Sequence, residues 1–218
     1  MLELLPKRAF FRFEIPILHI DRAPLIDGHV GKWKSRYLVP PLIEVEGRAS
    51  FADVYWAWND DGFYAAFDVP GRSGPPQCEP EQWWKKDGLR LCIDTRDGRD
   101  NKRATRTCHF FYMLPTGGGP DGRQPVVGVH RMSRAKEPPP AIDIGRVRVA
   151  SQVRSRGYGL ELSIPASCLN GWSPAEYPRI GVFYKIKDLQ LGAQHLTVPD
   201  ELGWNADPST WATGVLVR

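Results

Sequence analysis

The chain has 218 residues, of which 42% are hydrophobic and 25% charged, a balance typical of a globular protein. Its 29 basic and 25 acidic residues leave a formal charge of +4, which is too small to indicate a nucleic-acid partner. Glycine contributes 21 residues and proline 20, so turns interrupt the chain too often for long helices. No apolar run approaches the ~20 residues of a membrane-spanning helix, so no membrane partner is expected.

The first residues do not resemble a secretory leader, because Pro6, Lys7 and Arg8 interrupt the apolar segment that opens the chain. The sequence therefore predicts a cytoplasmic protein, and it leaves open a mature secreted form. The four cysteines, at positions 78, 92, 108 and 168, form no C-x-x-C pair. They are expected to be structural rather than metal-binding or redox-active.

Alternation of apolar and polar residues with a period of two predicts β-strands along the chain. Val54, Trp56 and Trp58 share one face of the first clear strand, and both tryptophans are expected in the core. Residues 59–62, with the sequence NDDG, predict the turn of a hairpin with the run 63–69. Further strands are predicted at 89–93, 108–114, 146–154, 158–164, 180–186 and 210–216.

Stretches rich in proline and glycine at 70–80, 115–125 and 136–140 predict loops, and only 166–169, after Pro165, is typical of a helical turn. Neither a shift in composition nor an internal repeat marks a domain boundary, so residues 1–218 are expected to form one domain. Roughly ten short strands separated by turns predict an all-β fold, a two-sheet antiparallel β-sandwich of immunoglobulin-like or jelly-roll-like type.

Five segments of the chain resemble sequence motifs of family-nine carbohydrate-binding modules and of the related DOMON-like domains, and they occur in the same order. The likeness covers about residues 25–217 and implies their β-sandwich, with residues 1–24 as an N-terminal extension that packs on it. The segments are IDG at 26–28 followed by Trp33, the hairpin 54–69, WKKDGLRLCID at 84–94, GYGLELSIP at 157–165 and IGVFYKIKD at 180–188.

The resemblance implies a non-catalytic domain whose partner is a carbohydrate held between two tryptophans. Trp84 aligns with the first of these, and Trp204 is the best candidate for the second. An indole face covers the C–H side of a pyranose, while fixed polar groups read its hydroxyls. Because Trp83 precedes Trp84 directly, the two side chains point to opposite sides, one into the core and one towards a cleft. Gln194 and His195 would add hydrogen bonds to the ligand.

Two positions depart from the family pattern. Arg90 stands where the family has a carboxylate, and Lys185 stands where it has a glutamine. Two cations in one cleft would suit an anionic ligand, such as an acidic sugar or a phosphorylated group, better than a neutral one. The sequence also allows both to be solvated or ion-paired surface residues, so the ligand stays open between a sugar and a sugar-like anion.

No cofactor is predicted, but two are kept as alternatives. Some DOMON-like relatives hold haem b for electron transfer, and here Met113 with either Lys185 or His195 would be its ligands. Calcium prefers oxygen ligands, which three neighbouring carboxylates could supply. They are Asp94, Asp97 and Asp100.

The sequence contains no nucleophile elbow, P-loop, dinucleotide fingerprint or zinc-binding histidine pattern, and it nominates no pair of catalytic carboxylates. We therefore expect a binding domain and not an enzyme. A structural or interaction domain with a vestigial cleft is the remaining alternative. Nothing in the sequence indicates the oligomeric state.

Overall fold

A computed structural model of the chain describes residues 6–218, and these residues form eleven β-strands joined by turns and short helices. The strands are β1 (Glu14–His19), β2 (Asp53–Asn59), β3 (Gly62–Pro70), β4 (Gly88–Asp94), β5 (Cys108–Gly118), β6 (Gln124–Val129), β7 (Arg148–Arg154), β8 (Gly157–Pro165), β9 (Arg179–Asp188), β10 (Gly192–His195) and β11 (Ala212–Val217).

The helices of the described residues are 3-10 turns of three to five residues, and none is long and apolar enough to cross a membrane. The predicted turn after Pro165 is among them. They span Lys7–Phe10, Val30–Lys32, Ser35–Tyr37, Leu42–Glu46, Pro80–Gln82, Ile144–Arg146, Ala166–Cys168, Asp200–Leu202 and Pro208–Thr210.

The strands follow one hydrogen-bonded path in the order β6-β5-β4-β9-β11-β1-β2-β3-β8-β7, with β10 paired to β9. This path folds over so that its two end strands, β6 and β7, contact each other and the sheet nearly closes. The predicted all-β sandwich is confirmed. Its pairing departs from purely antiparallel at β1, which runs parallel to both of its neighbours, β11 and β2.

The core lies between the two halves of the path. Tyr184 of β9 packs with its ring centroid 6.0 Å from that of Trp56 on β2 and 6.5 Å from that of Phe67 on β3. Trp56 and Trp58 are both buried, as their shared strand face predicts. The cysteines are all free, and only Cys78 is not fully buried.

Strand β1 belongs to the segment 1–24, which the sequence predicts as an extension that packs on the sandwich. The structure places Ile15 and Ile17 of this segment in the core, on a strand in the middle of the sheet. The sequence does not predict this strand, because Pro16 lies inside it and proline within a run argues against a strand. Residues 1–5 of the predicted extension lie outside the described residues.

Two of the sequence motifs meet at one buried carboxylate, that of Glu161 in the GYGLELSIP segment. Its oxygens accept hydrogen bonds from the backbone N–H groups of Asp27 (3.0 Å) and Gly28 (2.7 Å) and from the indole of Trp33 (2.8 Å). Lys32 adds an ion pair at 2.9 Å. The IDG turn and the later tryptophan are therefore held on β8 by one side chain.

Candidate ligand-binding cleft

The cleft begins on the outer face of β4 and β9. Their antiparallel register places Arg90 directly opposite Lys185. Leu89 and Leu91, the neighbours of Arg90, point into the core, so alternation puts Arg90 and Lys185 on the opposite face of the sheet. The two cations that depart from the family pattern are thus neighbours.

Arg90 is buried and holds the loop that precedes its own strand. Its Nη1 donates to the carbonyl of Gly88 at 2.7 Å and its Nη2 to the carbonyl of Trp83 at 2.8 Å. Burial lowers the pKa of Arg90 to about 10, so the guanidinium is charged at neutral pH. Arg90 is therefore neither a solvated nor an ion-paired surface residue. Its guanidinium instead fixes the backbone of the loop that precedes β4.

The adjacent tryptophans of this loop take different positions. Trp83 lies flat on Tyr112, with ring centroids 4.6 Å apart and an interplanar angle of 8°. Trp84 projects outwards and is 52% exposed. Lys187 fixes its backbone, since Nζ donates to the carbonyls of Trp84 (3.2 Å) and Lys85 (2.6 Å). One indole thus packs on the sheet and the other is free to meet a ligand.

Trp204 forms the opposite wall and is only 5% exposed. Its ring stacks on Phe183 at 4.6 Å and 17°, so one indole face is covered by the protein. A sugar ring between Trp84 and Trp204, as the sequence predicts, would therefore contact an exposed indole on one side and a nearly buried indole on the other.

Asp200 connects the residues of this wall. Its carboxylate accepts hydrogen bonds from Lys185, from Nε1 of Trp204 (2.7 Å) and from Nε2 of His195 (3.2 Å). These three hydrogen bonds, and that from His195 most of all, hold the pKa of Asp200 well below its usual range. Burial lowers the pKa of His195 and that of Lys185.

These elements enclose a cleft of about 250 Å³. Four of the six residues predicted to bind ligand line it together: Trp84, Arg90, Lys185 and Trp204. Lys187 also lines the cleft and is not among the predicted residues, although alternation along β9 puts it on the same face as Lys185. The other residues of the lining are Trp83, Phe110, His130, Asp200 and Asn205.

The two remaining predicted residues do not line the cleft. Gln194 lies opposite Ile186 and points to the core side, where its Oε1 accepts from the backbone N–H groups of Phe51 (3.0 Å) and Ala52 (3.1 Å). Its amide joins β10 to the segment before β2 and is not free for a ligand. His195 is buried behind Asp200 and acts on the cleft only through that carboxylate.

The electrostatics of the cleft are positive. Arg90, Lys185 and Lys187 supply three cations, and among the described residues of the lining Asp200 is the one carboxylate. Burial lowers the pKa of His130, which favours the neutral imidazole. An anion in this cleft would meet a net positive field at short range.

The residues do not fit the haem alternative. Met113 pairs with Leu89 and lies buried on the core face of β5, whereas Lys185 and His195 lie on the other face of the sheet. A methionine and either partner on opposite faces of one sheet cannot be the two axial ligands of a single haem.

The residues do not fit the calcium alternative either. The Asp94 carboxylate already accepts from Thr107 Oγ1 (2.6 Å) and from the backbone N–H of Gly98 (2.7 Å), and Asp97 accepts from Thr213 Oγ1 (2.7 Å). Within residues 6–218, no group of three or more His, Cys, Asp or Glu side chains is placed to hold a metal ion.

The fold is similar to that of family-9 carbohydrate-binding modules, a class of β-sandwich domains. Two solved structures of such a module from Caldicellulosiruptor kristjanssonii are similar to this chain over 94% of its length. The complex with cellotriose has a TM-score of 0.63 and 13% identity over 94% of that chain. The complex with glucose has a TM-score of 0.65 and 14% identity over 97% of that chain.

At this identity the likeness establishes the fold, and it confirms at that level the resemblance carried by the five sequence segments. No protein-family model matches the sequence, and no curated protein matches it.

Proposed function

We propose that this chain is a carbohydrate-binding domain that holds an acidic saccharide in the cleft and does not catalyse a reaction. The observation that carries the proposal is an exposed indole, Trp84, beside the three cations Arg90, Lys185 and Lys187. The fold supports the saccharide part, since the similar modules hold cellotriose and glucose. The excess of positive charge supports the acidic part.

The hydrogen-bonding capacity of the cations is only partly used. Of its five N–H donors, Arg90 commits two N–H groups to the carbonyls of Trp83 and Gly88. Lys187 commits two of its three protons to backbone carbonyls, and Lys185 commits one to Asp200. The remaining donors can meet the carboxylate of a sugar whose C–H face lies on Trp84.

The composition of the cleft supports binding without catalysis. Glycoside hydrolysis commonly uses two carboxylates on either side of the scissile bond. Among the described residues of the lining, Asp200 is the one carboxylate, and it already accepts from Lys185, Trp204 and His195. It is therefore a structural anion and not a free acid or base.

The test is a titration with an oligoglucuronate tetrasaccharide and with neutral cellotetraose, followed by calorimetry and by tryptophan fluorescence. We expect the acidic tetrasaccharide to bind more tightly and its affinity to fall as salt is added. Trp84→Ala should weaken binding about tenfold, which corresponds to ~1.4 kcal/mol. Tyr177→Ala is the matched control, because Tyr177 is 37% exposed and stacks with Arg96 outside the cleft.

Two results would overturn the proposal. If cellotetraose binds more tightly than the acidic tetrasaccharide, the cations do not select the ligand. If neither binds, the cleft is vestigial and the interaction-domain alternative takes its place.

A further inference from the structure

A second cavity, of about 270 Å³, adjoins the cleft. The two share Phe110 and His130 as lining residues, so they are neighbouring compartments of one depression. The second compartment differs in chemistry, because Val129, Ile142 and the prolines at 138–140 make its walls mostly apolar. A ligand that continues from the cleft would move from a cationic to a mostly apolar environment. Arg131, an exposed side chain, is the one charged residue among the described residues of this lining.

His130 stands between the compartments without adding charge. Its ring centroid lies 5.1 Å from that of Phe110 and 5.1 Å from that of Trp83. Its backbone N–H donates to the Phe110 carbonyl at 2.9 Å, which fixes the residue at the end of β6. Because burial lowers the pKa of the His130 imidazole, the ring that lies between the two compartments is neutral at pH 7.

His109 gives the apolar compartment a buried polar group. It is only 3% exposed, and its Nε2 accepts a hydrogen bond of 2.9 Å from the backbone N–H of Asn170. Burial lowers the pKa of His109 to about 4, so the ring is neutral at pH 7 and its proton sits on Nδ1. Among the hydrogen bonds of residues 6–218, none uses this Nδ1–H. An unused donor on a side chain that is mostly buried selects for an acceptor.

We propose that the second compartment binds an acylated unit of the same saccharide, with its carbonyl oxygen on Nδ1–H of His109 and its methyl group on Val129 and Ile142. This inference rests on the proposed function, because the neighbouring acidic unit lies in the cleft. An acetamido group suits the compartment, since it is uncharged, carries a carbonyl acceptor and ends in a small apolar group. A second carboxylate there would lose hydration against the apolar walls, and the one cation of the described lining, Arg131, is an exposed side chain whose attraction is screened by solvent.

The experiment compares a hyaluronan tetrasaccharide, which alternates glucuronate with N-acetylglucosamine, with the oligoglucuronate tetrasaccharide. We expect hyaluronan to bind about tenfold more tightly, although it carries fewer carboxylates. A factor of about ten is what one buried methyl group and one hydrogen bond contribute together. Ala141→Trp should fill the compartment and abolish this preference, because Ala141 is an exposed lining residue. Ala175→Trp is the control, since Ala175 is also exposed and lines neither compartment.

The outcomes separate the two proposals. A preference for hyaluronan that is lost in Ala141→Trp and kept in Ala175→Trp, with oligoglucuronate binding unchanged, supports the second compartment. The inference fails if the native chain shows no preference, if Ala141→Trp retains it, or if that variant weakens both ligands equally. In each of these cases the proposed function stands. If the native chain binds neither tetrasaccharide, the proposed function fails and the inference fails with it.

Discussion

The indole Nε1 of Trp204 donates a 2.7 Å hydrogen bond to Oδ1 of Asp200. Asp200 lies four residues earlier in the chain, in a 3-10 turn, and the same carboxylate accepts from Lys185 on β9. One wall of the cleft is therefore anchored to the sheet through a single anion. That anion also offsets part of the positive charge that would attract an acidic ligand.

Replacing this anion with an amide should strengthen the binding of acidic saccharides. Asp200→Asn keeps an oxygen for the Trp204 N–H but removes a negative charge beside Lys185, so the affinity for oligoglucuronate should rise about threefold at low salt. Calorimetry at low and high salt measures the effect. Asp60→Asn makes the same change of charge where Asp60 pairs with Arg218 outside the cleft. Equal gains in both variants would mean that net charge, and not the cleft, decides the affinity.

The buried carboxylate of Glu161 should be essential for stability. In Glu161→Gln an amide NH₂ would face the donors of Gly28, Trp33 and Lys32, so at least one would lose its acceptor, and we expect a loss of about 3 kcal/mol. Urea unfolding measures it. Glu14→Gln is the control, because Glu14 pairs with Arg179 on the surface and should change stability little. A native-like midpoint for Glu161→Gln would contradict this account of the IDG motif.

The hairpin glycine Gly62 should not tolerate a side chain. Its φ of 157° is unfavourable for other residues, and a Cβ would lie 2.2 Å from the carbonyl oxygen of Ile164 on β8. We expect Gly62→Ala to cost about 3 kcal/mol, from backbone strain and from the displacement of β8. Gly47→Ala has φ of 72° but open space around its Cβ, so it should cost only about 1 kcal/mol. Thermal unfolding of both variants checks the difference, and equal losses would exclude the clash as the cause.

Acidification should destabilise the fold through His109. Its pKa is 6.5 in the unfolded chain and about 4 in the folded one, since burial disfavours the imidazolium. Between these values the unfolded chain binds a proton that the folded chain does not, so stability falls as the pH decreases from 6.5 to 4. The full shift corresponds to about 3 kcal/mol.

Urea unfolding across this pH range tests the assignment. His109→Gln retains an oxygen that can accept from Asn170 and removes the titrating group. The variant should therefore show a flatter dependence of unfolding free energy on pH than the native chain. If both chains show the same dependence, another group is responsible; His130 and His195 are the next candidates, because burial lowers their pKa values too.

Local patterns in the sequence determined most of the strands. Period-two alternation places Val54, Trp56 and Trp58 in the core because successive side chains of a strand must point to opposite faces. The same rule correctly separates Arg90 from its leucine neighbours, and it would also have found Lys187. Strand β1 was not predicted, because Pro16 interrupts its alternation. Its two partners, β11 and β2, are also distant in the chain, and both run parallel to it.

The sequence by itself determined the sandwich, its core tryptophans and a set of cationic residues near Trp84. Only the tertiary structure decided which candidates meet in the cleft, because register and loop packing depend on contacts between distant segments. The register of β4 with β9 joined Arg90 to Lys185, whereas the pairing of β10 with β9 turned Gln194 to the core side. Stacking on Phe183 closed one face of Trp204, and no local pattern records that contact.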